Sequence, residues 1–258
     1  MNIQSIIKNL YQNNNIEKEK LIYLLDNLNS NSEKLLFKYA RKTLNQIYGK
    51  KVFLRALIEF SNYCKNNCNY CGIRNNNHNI KRYRLDKKEI IKSCDRAVSL
   101  GYKTIVFQSG EDDYFTDKKL LDIISEIKNK YPEIALTLSI GEKSYDSYKK
   151  LFKTGVDRYL LRHETISTER YKKFHPDMNL KNRIDCLYNL KEIGYQVGAG
   201  FIVGLPGQTN TNIAENLLFL KKLNPHMVGT GPLITHPETP LAAHKNGSVE
   251  KTLITLAI

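Results

Sequence analysis

From about residue 50 onward the chain alternates short β-rich runs with amphipathic helical segments, and this alternation limits its fold more than any other feature. The β-rich runs are VFLRALIEF (52–60), KTIVFQSG (103–110), IALTLSIG (134–141), DRYLLRHE (157–164), QVGAGFIVG (196–204) and MVGTGPLIT (227–235). Between them lie DKKEIIKSCDRAVSLG (86–101), DKKLLDIISEIKNKY (117–131), SYDSYKKLFKTG (144–155), NLKNRIDCLYNLKEIG (179–194) and TNTNIAENLLFLKKL (209–223), with apolar residues at helical spacing. Gly101, Gly155 and Gly194 stand where three of these helices should end. A helix between two strands returns the chain to the same end of the sheet, so the strands pair in parallel. The expected class is α/β, a TIM-type (β/α) barrel of which about six βα units are present.

Residues 1–50 form an expected N-terminal helical extension, and residues 51–258 the barrel. IEKEKLIYLLDNL (16–28) and SEKLLFKYARKTLNQIY (32–48) carry the helical pattern, with a break at Asn29 and Ser30 and a helix entry at Ser32. A complete barrel needs about two more units. The last helical segment, SVEKTLITLAI, runs to the chain end, and its apolar run Leu253 to Ile258 predicts an unclosed hydrophobic face. This favours a barrel truncated at the C-terminus over a six-stranded open one.

The 41% apolar and 26% charged residues fit a soluble globular chain. No stretch approaches the roughly 20 apolar residues of a membrane span, and the start has no basic region followed by an apolar core. A cytoplasmic setting follows, in which the five cysteines are thiols or metal ligands rather than disulfides. The net charge of +14 is spread along the chain without a basic stripe. It suits an anionic substrate or an acidic redox partner, and nucleic acid is not expected.

Cys64, Cys68 and Cys71, in CKNNCNYC, fall in the loop after the first strand, at the barrel mouth where catalytic groups of this fold gather. Clustered thiolates serve two chemistries. A structural zinc wants four ligands, and only His78 lies near enough in sequence to be the fourth. A [4Fe–4S] cluster held by three cysteines keeps one iron open for another ligand. Cys94 and Cys186 sit inside helical segments as small buried residues.

C-x3-C-x2-C with Tyr70 before the last cysteine resembles the signature of radical S-adenosylmethionine (SAM) enzymes. So do QSGED (108–112) at the end of the second strand and GFIVGLPGQT (200–209) at the fifth. In that superfamily the open iron is chelated by the methionine moiety of SAM, and an electron from the cluster releases a 5′-deoxyadenosyl radical. Within it, RALIEFSNYCKNNCNYCGIR, KRYRL, RHET (162–165) and MVGTGPLITHPETPLA are similar to the HydE-type maturases of [FeFe]-hydrogenase, with methylornithine synthase and biotin synthase as relatives.

The resemblance implies cofactor contacts at Tyr70, Gly110, Glu111, Ser139, Glu164 and Arg183. Gly110 would let backbone approach the ligand, with Glu111 near the methionine amino group. Glu164 would bind the ribose hydroxyls, Ser139 the same nucleoside, and Arg183 the methionine carboxylate. Read from the residues alone, Glu164 could instead pair with Arg162 or Arg158, and Arg183 could be a solvated helix residue. Strand alternation points His163 away from Glu164, as a core residue.

The implied reaction helps assemble the dithiomethylamine-bridged diiron subcluster from an organometallic iron–cysteine substrate. Implied partners are other hydrogenase maturases and a reduced ferredoxin or flavodoxin as electron donor. Arg55, Arg74 and the KRYR run (81–84) are candidate cations for such a substrate at the mouth. Members of that family extend beyond this chain's last residue, and some carry further C-terminal cysteines for an accessory cluster. A methylornithine synthase-like or other radical SAM enzyme and an inactive, truncated iron–sulfur module are the alternatives.

Overall fold

The computed structural model describes residues 2–258. Three helices come first: α1 (Ile3–Asn13), α2 (Lys18–Asn27) and α3 (Ser30–Tyr48). Asn29 caps α3 in a reciprocal pair with Ser32, so the helix begins two residues before the entry expected at Ser32. β1 (Ala56–Ser61), β2 (Thr104–Ser109), β3 (Ala135–Ser139), β4 (Arg158–Leu160), β5 (Gln196–Ala199) and β7 (Met227–Val228) follow. They form one six-stranded sheet in chain order, parallel at every pairing. A smaller parallel pair, β6 (Ile202–Val203) with β8 (Gly231–Pro232), lies beyond β5 and β7.

The expected helices are present as α4 (Lys87–Ser99), α5 (Asp117–Lys130), α6 (Tyr145–Lys153), α8 (Leu180–Ile193) and α9 (Asn210–Leu223). Alternate strand residues Ile58, Phe60, Ile105, Phe107, Leu136, Leu138, Tyr159 and Val197 bury against their apolar faces. The intervening residues form the opposite face of the sheet. Register places Glu59, Gln108 and Ser139 side by side near the carboxyl ends of β1, β2 and β3.

Three features depart from the sequence reading. The fifth β-rich run is split, because at Gly200 a Cβ would lie 2.0 Å from the Gly229 carbonyl oxygen. The two backbones meet there, and the chain steps from β5 into β6. A short helix, α7 (Thr168–Phe174), capped by Ser167, follows β4 in a stretch to which the sequence reading gave no element. The apolar face of α10 (Val249–Ala257) is partly covered, since Ile254, Ala257 and Ile258 pack on Ile6, Ile7, Leu24 and Leu36 of the N-terminal helices. Leu253 and Leu256 of the same run are exposed. Among the described residues no helix is long and apolar enough to cross a membrane.

Candidate cluster and cofactor site

The loop that leaves β1 carries Cys64, Cys68 and Cys71, each partly buried. Its turns close on themselves: the Cys71 amide donates to the Cys68 carbonyl, Arg74 to Cys71, and Asn75 to Asn66. The asparagines that separate the cysteines anchor it outward. Asn69 donates to the carbonyls of Phe174 and Lys173, and Asn67 to the Asp177 carboxylate at 2.9 Å. Burial raises the thiol pKa values, that of Cys68 up to about 12. Holding thiolates here therefore calls for a strong cation.

The second strand delivers Gly110 and Glu111. A Cβ on Gly110 would lie 2.3 Å from the Tyr63 carbonyl oxygen and 2.5 Å from the Cys64 Cβ. The space that Gly110 leaves open is thus filled by the cysteine loop itself. The Glu111 amide donates to the Cys64 sulfur at 3.4 Å. The Glu111 side chain fits where Gly141, at φ +79°, has no Cβ; one there would come within 2.0 Å of the Glu111 Cγ.

Arg183, expected at the cofactor or else solvated, is buried. Its Nη2 is 3.5 Å from Glu111, and its Nε is 2.8 Å from Glu142 and donates to the Tyr171 hydroxyl at 3.2 Å. Burial opposes its charge, but Tyr171, Glu142 and Glu111 more than offset that and raise its pKa. Glu142 is pushed the other way for a carboxylate: burial raises its pKa against the pull of Arg183.

Glu164 follows β4 in a left-handed conformation, φ +61°, which costs a non-glycine residue about 1–3 kcal/mol. Of the two arginines named for it, Arg162 is the neighbour, with Nη2 3.0 Å from the carboxylate. Arg158 is engaged by Gln196 and Thr104. The Arg162–Glu164 approach is not aligned, so Glu164 Oε2 and Arg162 Nη2 are buried without a hydrogen-bond partner. Burial raises the Glu164 pKa, with Arg162 and Arg183 opposing. Ser139 ends β3, level with Gln108. His163 is fully buried against Phe201 and Phe219 and bonded to Asn216, as a core residue.

Tyr70 points to His175, its hydroxyl 2.7 Å from Nε2. Because His175 Nδ1 lies 3.1 Å from the Tyr171 carbonyl, it carries the proton and Nε2 accepts from Tyr70. His175 also stacks on Tyr171, which receives Arg183. Glu142, Tyr171 and His175 were not singled out from the sequence. Glu142 follows Gly141 at the end of a β-rich run, the one local cue; Tyr171 lies on α7 and His175 caps its end, in a stretch to which the sequence reading gave no element.

The cations expected at the mouth are largely committed elsewhere. Arg55 precedes β1 and lies with Arg158 in a cavity of about 550 Å³ at the opposite end of the sheet, lined also by Val52, Phe53 and Leu100. Arg84 forms a two-point ion pair with Asp112, at 2.8 and 2.9 Å. Arg82 bonds to main-chain carbonyls. His78 is exposed.

Among the described residues no three His, Cys, Asp or Glu side chains are gathered closely enough for a single metal ion. A tetrahedral zinc needs its sulfurs about 3.8 Å apart, given Zn–S bonds of about 2.3 Å. A cluster takes each thiolate on a different iron, so it does not require the three thiols of this loop to meet at one point.

A parallel six-stranded sheet with this cysteine loop at its carboxyl end defines a class, and the sequence match agrees. The chain belongs to the radical SAM superfamily, which it matches over residues 58–220. Enzymes of this superfamily use a [4Fe–4S] cluster and SAM. The chain is 48% identical over 223 residues to the [FeFe] hydrogenase maturase subunit HydE of Thermotoga maritima, covering 86% of this chain and 64% of the relative. It is 30% identical over 225 residues to the 3-methylornithine synthase of Methanosarcina acetivorans, covering 86% and 63%. The chain therefore spans less than two thirds of the length of these relatives. Its fold matches the crystal structure of methylornithine synthase with a TM-score of 0.89 at 24% identity, over 98% of this chain and 74% of that one. It matches the [FeFe]-hydrogenase maturase HydG at 0.87 and 25%, over 98% and 59%.

Proposed function

We propose that this chain is a HydE-type radical SAM enzyme of [FeFe]-hydrogenase maturation, acting on a small organometallic iron–cysteine substrate. In this reading Cys64, Cys68 and Cys71 hold the cluster, and residues 1–50 are a helical extension of the barrel unit 51–258. The observation that carries it is one mouth where the cysteine loop meets Glu111 and Arg183 and where Glu164 and Arg162, ion-paired at 3.0 Å, keep buried polar atoms without a hydrogen bond. Buried polar groups are rarely left so unless a ligand completes them.

When bound, the cluster and SAM supply an electron and a 5′-deoxyadenosyl radical. The chain's own residues bind and orient. Arg183, charged despite its burial, offers a guanidinium to a carboxylate. Glu164 Oε2 accepts from hydroxyl groups, and Ser139 and Tyr70 are assigned to the same cofactor in this reading. Gly110 acts at one remove, by letting the cysteine loop lie against β2. A reduced ferredoxin or flavodoxin as donor, other maturases as partners and a cytoplasmic setting belong to the same proposal.

The test is anaerobic reconstitution with iron and sulfide, followed by EPR of the reduced protein with and without SAM. A [4Fe–4S]⁺ signal that changes on adding SAM is expected. No cluster, or a signal indifferent to SAM, would overturn the reading. The identity to 3-methylornithine synthase favours one competing product, and release of 3-methylornithine by the reconstituted protein would replace the HydE-type assignment with that one.

A further inference from the structure

The KRYR run is left unexplained by substrate binding, because its arginines turn inward. The Arg82 Nη1 group donates to the carbonyls of Asn62 and Ile73, and Nη2 donates to those of Arg74 and Asn77 at 2.6 and 3.1 Å. Its four Nη protons thus meet four main-chain oxygens from both ends of the loop that carries Cys64, Cys68 and Cys71. The rest of the run clamps the same loop from outside. Asn62 and Tyr83 bond reciprocally, the Leu85 amide donates to the Phe60 carbonyl, and Ser61 bridges Arg84. The Arg84 guanidinium lies 3.7 Å over the Tyr63 ring while holding Asp112.

We propose that Arg82 is the positioning residue of the cysteine loop: its planar fork gathers the carbonyls of Asn62, Ile73, Arg74 and Asn77, setting the spacing of the three cysteines, and leaves a fixed positive charge beside the cluster they hold. The proposal rests on the reading of these cysteines as cluster ligands. Loop carbonyls that converge without a donor repel one another, and only a guanidinium presents four protons in a plane to separate acceptors. A lysine keeps the charge but offers three donors from one nitrogen. A fixed cation near a redox centre favours its reduced, more negative state.

The experiment compares wild type, Arg82→Lys and Arg82→Gln after anaerobic reconstitution. It reads iron loss to a ferrous chelator and the midpoint potential by EPR-monitored titration, with far-UV circular dichroism to confirm folding. Arg82→Gln should lose iron faster, by roughly tenfold or more, the scale of one or two lost charged hydrogen bonds, and its potential should fall. Arg82→Lys should lose iron faster too, yet hold a potential close to wild type. A folded Arg82→Gln with wild-type retention and potential overturns the proposal. If Arg82→Gln does not fold, Arg82→Lys decides: retention equal to wild type overturns the role of the fork, and a potential shifted from wild type overturns the role of the charge. Wild type that never loads a cluster overturns instead the functional reading beneath it.

Discussion

The two walls of the mouth are built differently. On the cysteine side polar groups are matched: Arg82 meets four carbonyls, Arg84 and Ser61 satisfy Asp112, and Asn77 donates to the Gly72 carbonyl. Of the buried side-chain polar atoms without a partner among the described residues, this loop contributes Arg74 Nε alone. The wall formed by β3, β4 and the segments after them contributes Thr137 Oγ1, Arg162 Nε and His163 Nδ1, while its Glu142 Oε1, Arg162 Nη2 and Glu164 Oε2 meet an ion-pair partner but no hydrogen bond. An unpaired buried polar group costs about 1–3 kcal/mol, so such a wall persists where its groups serve a ligand. The difference separates scaffold from binding surface: one wall fixes geometry, the other keeps its hydrogen-bonding capacity.

The largest expected effects test this division directly. Cys64→Ala, Cys68→Ala and Cys71→Ala should each abolish stable cluster loading, measured as iron and sulfide per chain. Cys94→Ala and Cys186→Ala, at buried helix positions, should load like wild type. Loading that survived the loss of any loop cysteine would break the scaffold assignment. Arg183→Met should cost about 3–5 kcal/mol in urea unfolding, because it strands the buried carboxylates of Glu111 and Glu142. A loss under about 1 kcal/mol would show that Glu142, its pKa raised by burial, is neutral and needs no cation.

The scaffold wall was the more legible of the two in sequence. Alternating runs revealed parallel strands, and three cysteines after the first strand placed the mouth, because both signals are local and periodic. The helix α7 escaped notice because TERYKKF is too short to show a helical stripe. Tyr171 on it, and His175 at its end, went unrecognised with it. KRYR read as a set of substrate-facing cations because nothing in a sequence says that four carbonyls will converge on Arg82. Arg183 was named by resemblance alone, as its burial arises from Glu111, Glu142 and Tyr171, which come from three separate segments.

Smaller effects sharpen the binding side. Glu164→Gln should weaken SAM binding by roughly tenfold to a hundredfold, the scale of a lost charge-assisted hydrogen bond. The cluster should stay, and stability should hold, since burial already disfavours the Glu164 charge. Titration of the EPR change with SAM gives the affinity; a matching drop in unfolding stability would mean that Glu164 belongs to the scaffold.

His163, behind this wall, gives a pH signature. Burial lowers its pKa from 6.5 to about 3, so the folded state keeps it neutral while the unfolded chain takes up a proton. The stability it contributes is complete above about pH 6.5 and is lost as pH falls toward 3, at about 1.4 kcal/mol per pH unit. His163→Gln should flatten that part of the profile in denaturant unfolding followed between pH 7 and 4. An unchanged slope would show that other groups set the acid limit.

The smallest effect concerns the contact that joins the walls. Tyr70, between two loop cysteines, donates to His175, whose ring stacks at 4.2 Å on Tyr171, the residue that receives Arg183. Tyr70→Phe removes a single hydrogen bond and should cost about 1 kcal/mol. It leaves His175 Nε2 without its donor in a buried site, and burial holds that ring neutral, with a pKa near 4. If the walls are coupled, Tyr70→Phe shifts SAM affinity as well as stability, because Arg183 loses part of what orients Tyr171. If they are independent, stability falls alone and the EPR response to SAM keeps its wild-type midpoint. The size of the affinity change in this variant therefore measures how far the scaffold wall reaches into the binding one.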